Sequence, residues 1–252
     1  MRKPFRIAGV ASLGGLLLLV AAMCGVYWAS QRVPGFYRDA LEQEPAAQRQ
    51  ASEQLLENAS ALASNASKEG RWSALFTADQ INGWLAVDAV ENHPELFSAD
   101  VSHPRVLLQP GRATFACRNG QGSLSTVVTL SIELYLVEPN VMALRIDRAR
   151  AGALPIPLSQ ILDGVAEAAR RLNLHLAWRQ AKGDPVALIT IPPTRDSDDT
   201  VYQLESLELR DGEIYLAGRT QRAGRSGEPS PEPSPLAPRV ADRSAENEKR
   251  QH

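Results

Sequence analysis

Ser123-Leu-Ser-Thr-Val-Val-Thr-Leu-Ser-Ile-Glu-Leu-Tyr-Leu-Val-Glu138 decides the fold class of this chain. Leu124, Val128, Leu130, Ile132, Leu134 and Leu136 fall on one side of an extended backbone. Ser125, Thr129, Ser131, Glu133 and Tyr135 fall on the other. Alternation of period two marks a strand with one face buried and one in water. Roughly fourteen residues at about 3.4 Å each give a strand about 48 Å long, which must twist and coil.

Pro139-Asn140 turns the chain, and Met142, Leu144 and Ile146 continue the apolar side against Arg145, Asp147 and Arg150. Upstream, strands at 105–108 and 112–117 flank the turn dipeptide Pro110-Gly111, and Asn119-Gly-Gln-Gly122 turns the chain again. Downstream, Pro155 and Pro157 break the sheet and open a helix over 158–172. Its apolar face holds Ile161, Leu162, Val165, Ala168, Ala169 and Leu172. Strands are expected at 174–180, 186–191 and 201–209, with Asp211-Gly212 returning the chain through 214–217. Thr77-Ala-Asp-Gln80 reads as a capping box before a short helix over 78–87, and the Pro94 and Pro104 neighbourhoods read as loops. The fold class is α+β: a long twisted antiparallel sheet packed on one main amphipathic helix, preceded by a transmembrane helix and a helical stalk.

The transmembrane expectation comes from the apolar run Ile7 to Trp28, uncharged and preceded by Arg2, Lys3 and Arg6. About 20 apolar residues cross a bilayer, and Tyr27 and Trp28 suit the headgroup interface. Basic residues on the near side predict a cytoplasmic N-terminus and an extracytoplasmic body in the cell membrane. A cleaved signal peptide fits less well, because its apolar core is shorter and ends at small residues. From 36 to 68 a narrow alanine-rich stripe predicts a polar helix, started or kinked at Pro45. From Gly218 the composition shifts to Arg, Ser, Glu, Pro and Gly, which predicts a disordered tail. The expected division is 1–6 basic start, 7–28 anchor, 29–70 stalk, 71–218 folded domain and 219–252 Pro-rich tail.

Little points to a reaction. A net charge of -2 gives no basic stripe for nucleic acid. Cys24 lies in the apolar run and Cys117 in a strand, so no disulfide framework is expected. His93, His103 and His175 lack a second histidine at ligand spacing, so no metal and no cofactor are predicted. Glu133 and Asp147 face each other on the polar side of the long hairpin, where carboxylates serve solvation. The small basic row Arg145, Arg148 and Arg150 has the same reading.

What remains is a geometrical expectation. A curled sheet over one amphipathic helix leaves an apolar groove if the helix does not fill the concavity, and such grooves suit acyl chains. The lining expected is Leu124, Val128, Leu130, Ile132, Leu134, Leu136, Met142, Leu144, Ile146, Ile161, Leu162 and Val165. The predicted function is therefore non-enzymatic binding or scaffolding, with a lipid or other apolar ligand in the sheet. The alternative is a protein-interaction module of an envelope assembly, using the stalk and the Pro-rich tail. The partners expected are the bilayer, a lipid ligand and an envelope protein.

Phe76-Thr-Ala-Asp-Gln-Ile-Asn-Gly-Trp-Leu85 after an anchor, the long hairpin, and Ala149-Arg-Ala-Gly-Ala-Leu-Pro-Ile-Pro-Leu158 leading into a helix carry a family likeness. Together they resemble the single-pass bacterial membrane proteins of the YpmS-like type, over roughly Phe76 to Gly218. The resemblance implies an anchored outer domain and brings no catalytic residues with it. The long Pro-rich tail departs from that pattern.

Overall fold

The alternating stretch does form a central strand, but the strands divide into two sheets rather than one. A computed structural model describes residues 21–122, 125–171, 175–181, 184–191 and 200–222. Helix α1 (21–30) carries exposed Met23, Val26, Tyr27 and Trp28. Positions 7–20 of the apolar run lie outside the described residues, among which no helix is long and apolar enough to cross a membrane.

The alanine-rich segment is two helices, α2 (Gly35–Leu41) and α3 (Pro45–Ala66). Glu44 is extended and Pro45 takes the first helical position, where its missing N–H costs nothing. Short as it is, α2 seats Tyr37 completely in the body, with its hydroxyl donating to the His103 carbonyl at 2.9 Å. Helix α3 lies on α4 (Ala78–Ala86), and strand β1 (Gly70–Thr77) runs between them in sequence. At the α3–α4 crossing, Gly83 has the Gln48 carbonyl and the Ser52 amide against its Cα, leaving no room for a side chain. The capping box is complete: Gln80 N donates to Thr77 Oγ1 at 3.2 Å and Thr77 N to Gln80 Oε1 at 3.1 Å. Helix α5 (Asp88–Asn92) and a single 3-10 turn (Pro94–Leu96) lead into the sheet.

The larger sheet has the order β2 (Val101–Gln109), β3 (Arg112–Asn119), β4 (Thr126–Glu138), β5 (Val141–Ala151), β8 (Asp184–Thr190), β7 (His175–Ala181). The two-residue β6 (Leu154–Pro155) adds to β5, and all these pairings are antiparallel. Strand β2 starts earlier than the sequence suggests and carries Pro104 inside it. A register shift between Ser102 and Arg105, with His103 at φ 53°, takes up the proline. The smaller sheet, β1-β10-β9, consists of β9 (Thr200–Arg210) and β10 (Glu213–Arg222) with β1. Strand β10 therefore runs past Gly218, where composition alone sets the end of the domain; Gly218 is instead a bulge beneath the Trp72 ring.

The sheets are stitched by backbone at two hairpin tips. Gly111 N donates to Leu209 O at 3.0 Å, and Gly212 N to Leu108 O at 3.1 Å. Two buried asparagine amides complete the seams. Asn82 of α4 bonds both Val106 N (2.7 Å) and Val106 O (2.9 Å), acting as a substitute strand on the free edge of β2. Asn140, at φ 64° in the β4–β5 turn, does the same to β9 through Leu204 N (2.6 Å) and Tyr202 O (2.7 Å).

The main core sits where the apolar face of the large sheet meets α4, β9 and β10. Val106, Leu108, Ala113, Ile132, Ile146, Leu85, Ala89 and Leu209 are buried together there. Helix α6 (Leu158–Arg171) adds Ile161, Leu162 and Val165 from the open side. A smaller cluster of Tyr37, Ala116 and Val127 lies on the opposite face of the sheet.

Candidate functional site: an apolar groove beneath α6

Pairing register assigns each strand residue its face. Cys117 faces Val128, Phe115 faces Leu130 and Ala113 faces Ile132, so odd β3 and even β4 residues share the apolar side. Ala113 and Ile132 are covered by α4, β9 and β10. Toward the other end of the same strands that cover runs out. There α6 stands over the sheet without filling the space, and a groove of ≈ 480 Å³ remains.

Val128, Leu130, Phe115 and Cys117 form the groove's floor, and Ile161, Gly164 and Val165 of α6 its roof. Leu85, Phe97 and Val101 close one side. Phe115 is 44% exposed, although its neighbour Ala113 on the same face is 3% exposed, so an aromatic ring is left uncovered inside a concavity. A Cβ on Gly164 would meet nothing within 4 Å, so the glycine enlarges the space rather than easing a close approach. Burial pushes the Cys117 thiol up, leaving a weak nucleophile in an apolar wall.

One charged residue borders this lining, with its side chain turned toward α2. Arg105 is 5% exposed, and burial pulls its guanidinium down from the usual range. Its Nε donates to Ala40 O at 3.2 Å and its Nη1 to Pro104 O at 2.7 Å. It also borders a second void of ≈ 540 Å³ on the far side of Pro104, lined in part by Gln43, Gln48, Ser98, Ser102 and His103.

The groove lies beside the N-terminal segment. Thr126, two residues before Val128, donates its hydroxyl to the Ser30 carbonyl, and Gln31 Nε2 reaches Ser125 O at 3.3 Å. Ala153 N donates to Ala29 O at 2.8 Å, while Gly152, at φ +59°, lies flat under residues 29 and 30. The end of α1 and the residue after it are thus fixed to the end of the sheet where the groove lies.

Of the twelve residues expected to line a ligand site, Val128, Leu130, Ile161 and Val165 line the groove. Ile132 and Ile146 are core, with Leu134, Leu144 and Leu162 packed against them. Leu136 and Met142 pair with each other near the β4–β5 turn, away from the groove, and Leu124 lies outside the described residues. Sequence reasoning missed Phe97, Phe115, Gly164 and Arg105. A glycine in the middle of an amphipathic helix is the one local signal that was available, since it costs about 1 kcal/mol against alanine and wants a reason.

Among the described residues, the polar face carries a set of ion pairs. Arg112 bridges Glu133 and Asp147 at 3.5 Å each, and Arg145 Nε donates to Glu133 Oε2 at 3.1 Å, forming a charge ladder across β3, β4 and β5. The carboxyl of Glu133 is held below the ordinary range, chiefly by the Arg145 hydrogen bond. His93 stands near Asp88 and Glu95 on the surface. Among the described residues no group of three or more His, Cys, Asp or Glu side chains could hold a metal ion.

Comparison of the chain with protein-family models, with characterised proteins and with solved structures found no match.

Proposed function

We propose that this chain is a single-pass membrane protein, N-terminus inside, whose outer α+β body binds the acyl chain of a lipid rather than transforming a substrate. One observation carries the reading: the apolar groove opens at the same end of the sheet as the clamped residues 29–31. With 7–28 in the bilayer, that clamp holds the groove against the membrane surface. An acyl chain could then pass between bilayer and groove without crossing much water. The volume suits a small ligand, and the walls offer few polar groups to orient chemistry. The likeness to YpmS-like proteins agrees with an anchored outer domain and adds no activity.

The test is native mass spectrometry of the full chain released from its membrane in a mild detergent. The expected result is a bound lipid at up to one per chain, lost in Gly164→Phe, whose ring fills the groove from α6. A wild-type chain that carries no lipid overturns the binding reading. Protease added to intact cells should digest the body; a protected body overturns the topology.

A further inference from the structure

We infer that the clamped end of the large sheet is a docking surface for the anionic headgroups of phospholipids, centred on Arg118 and Arg150. This rests on the anchored topology proposed above. It is independent of what fills the groove, which lies on the opposite face of the sheet.

The first argument is charge. Four segments meet at or beside the sheet end that holds residues 29–31, namely 29–38, 113–119, 125–132 and 148–157. Together they carry Arg32, Arg38, Arg118, Arg148 and Arg150, and no Asp or Glu. The whole chain sets 29 acidic residues against 27 Lys and Arg, so this acid-free region departs from the chain's own balance. All five arginines are exposed, and among the described residues none of them is in an ion pair. Asp39 of α2 and Asp100, just before β2, are acids on adjoining elements, and neither pairs with them. The far half of the same face is different, because there Arg112 and Arg145 share Glu133. The basic row of β5 is thereby split: Arg145 is matched inside the protein, while Arg148 and Arg150 are left for an outside anion.

The second argument is position. Arg118 pairs with Val127, whose carbonyl accepts from Gly152 N at 2.7 Å. Arg150 pairs with Thr129 and stands two residues before Gly152. At about 5 Å between strands and about 3.4 Å per residue, both backbones lie within about 10 Å of Gly152. That glycine is pressed against Ala29 and Ser30. Ala116 pairs with Thr129 and belongs to the Tyr37 cluster, so Arg118 and Arg150 share the face opposite the groove. With 7–28 in the bilayer, the exposed Trp28 marks the headgroup interface two residues before the clamp. The headgroup layer adds about 5–7 Å on each side of the hydrocarbon core, a depth that long arginine side chains span. Guanidinium also presents paired donors that match the oxygens of a phosphate.

The experiment uses the full chain in nanodiscs of equal parts phosphatidylglycerol and phosphatidylcholine with identical acyl chains, between which the groove has no basis to choose. A small fraction of one lipid or the other carries a photoactivatable diazirine in its headgroup, and adducts are mapped by mass spectrometry. The phosphatidylglycerol probe is expected to label 113–119 and 148–153 about tenfold more than the phosphatidylcholine probe, as for two arginines at an anionic surface. Arg118→Gln with Arg150→Gln should bring it down to the phosphatidylcholine level. Gly164→Phe should leave the preference intact, although the groove is then filled. Equal labelling of the wild-type segments by both probes overturns the headgroup assignment and leaves the acyl-chain reading standing, whether or not the double variant folds. A preference that the folded double variant retains, or that Gly164→Phe removes, overturns it too. Absence of labelling there by either probe overturns the docking surface, including the case where a second copy covers it.

Discussion

Gly152 lies directly beneath the carbonyl of Ser30. A Cβ at position 152 would come within 2.3 Å of that oxygen, and the backbone there is left-handed at φ +59°. The contact makes the junction between α1 and the sheet a fixed joint. Gly152→Val should break it, since both the close approach and the dihedral exclude a branched side chain. Limited proteolysis should then cut residues 29–34 at least tenfold faster. The melting transition of the body should fall by only a few degrees, because Gly152 is outside both core clusters.

The same substitution should have opposite signs on two helices. Gly164→Ala adds a methyl group where nothing stands within 4 Å, so it should gain about 0.5–1 kcal/mol from helix propensity. Gly83→Ala drives a methyl into the Gln48 carbonyl (2.6 Å) and the Ser52 amide (2.8 Å), and backbone cannot swing aside. It should cost about 1–3 kcal/mol despite its better propensity. Urea denaturation of the two variants checks the pair, and equal shifts would contradict the packing at α3–α4.

Asn140→Gly isolates the seam between the sheets. Glycine accepts φ 64° freely, so the turn survives while the bonds to Leu204 N and Tyr202 O vanish. Stability should fall by about 2–4 kcal/mol, as two buried backbone groups lose their partners. Hydrogen exchange should accelerate first at Leu204. Asn82→Ala should behave alike at Val106.

Acid should loosen the charge ladder on the polar face. Glu133 titrates below its unfolded value because Arg145 and Arg112 favour the carboxylate. Its contribution is fully present above about pH 4.3 and is lost as pH falls through the lower folded value. These side chains are partly solvated, so the effect is about 0.5–1 kcal/mol. Glu133→Gln should remove that part of the stability and flatten the pH dependence of unfolding below pH 4.3. An unchanged slope would mean that the ladder contributes nothing.

The architecture was legible where one residue type repeats at one period. Strand β4, its hairpin with β5, helix α6 and the Thr77–Gln80 cap all come from local pattern, and pattern is local. Splitting into two sheets was not legible, because it depends on β1 meeting β10 and on a bulge at Gly218, both outcomes of distant pairing. The short strand β1 has too little alternation to stand out, with Trp72, Ala74 and Phe76 its only regular positions. For the groove, the apolar row of β4 was legible but its division was not. Alternation cannot tell Leu130, left under a loose roof, from Ile132, two residues on and fully covered. Arg105 gave no signal at all: between Pro104 and Val106 it reads as an exposed strand residue, and only the α2 carbonyl of Ala40 turns it inward.

The pairing of β1 with β10 sets Gly70 opposite Thr220 and Thr77 opposite Glu213. Synthesis from the N-terminus delivers one half of this ladder long before the other. Until β10 is made, β1 and β9 have no strand to pair with, so the smaller sheet closes last. Addition of β10 is therefore the step that closes the smaller sheet, and a chain cut short before it leaves β1 and β9 as open edges, which invite pairing with other chains.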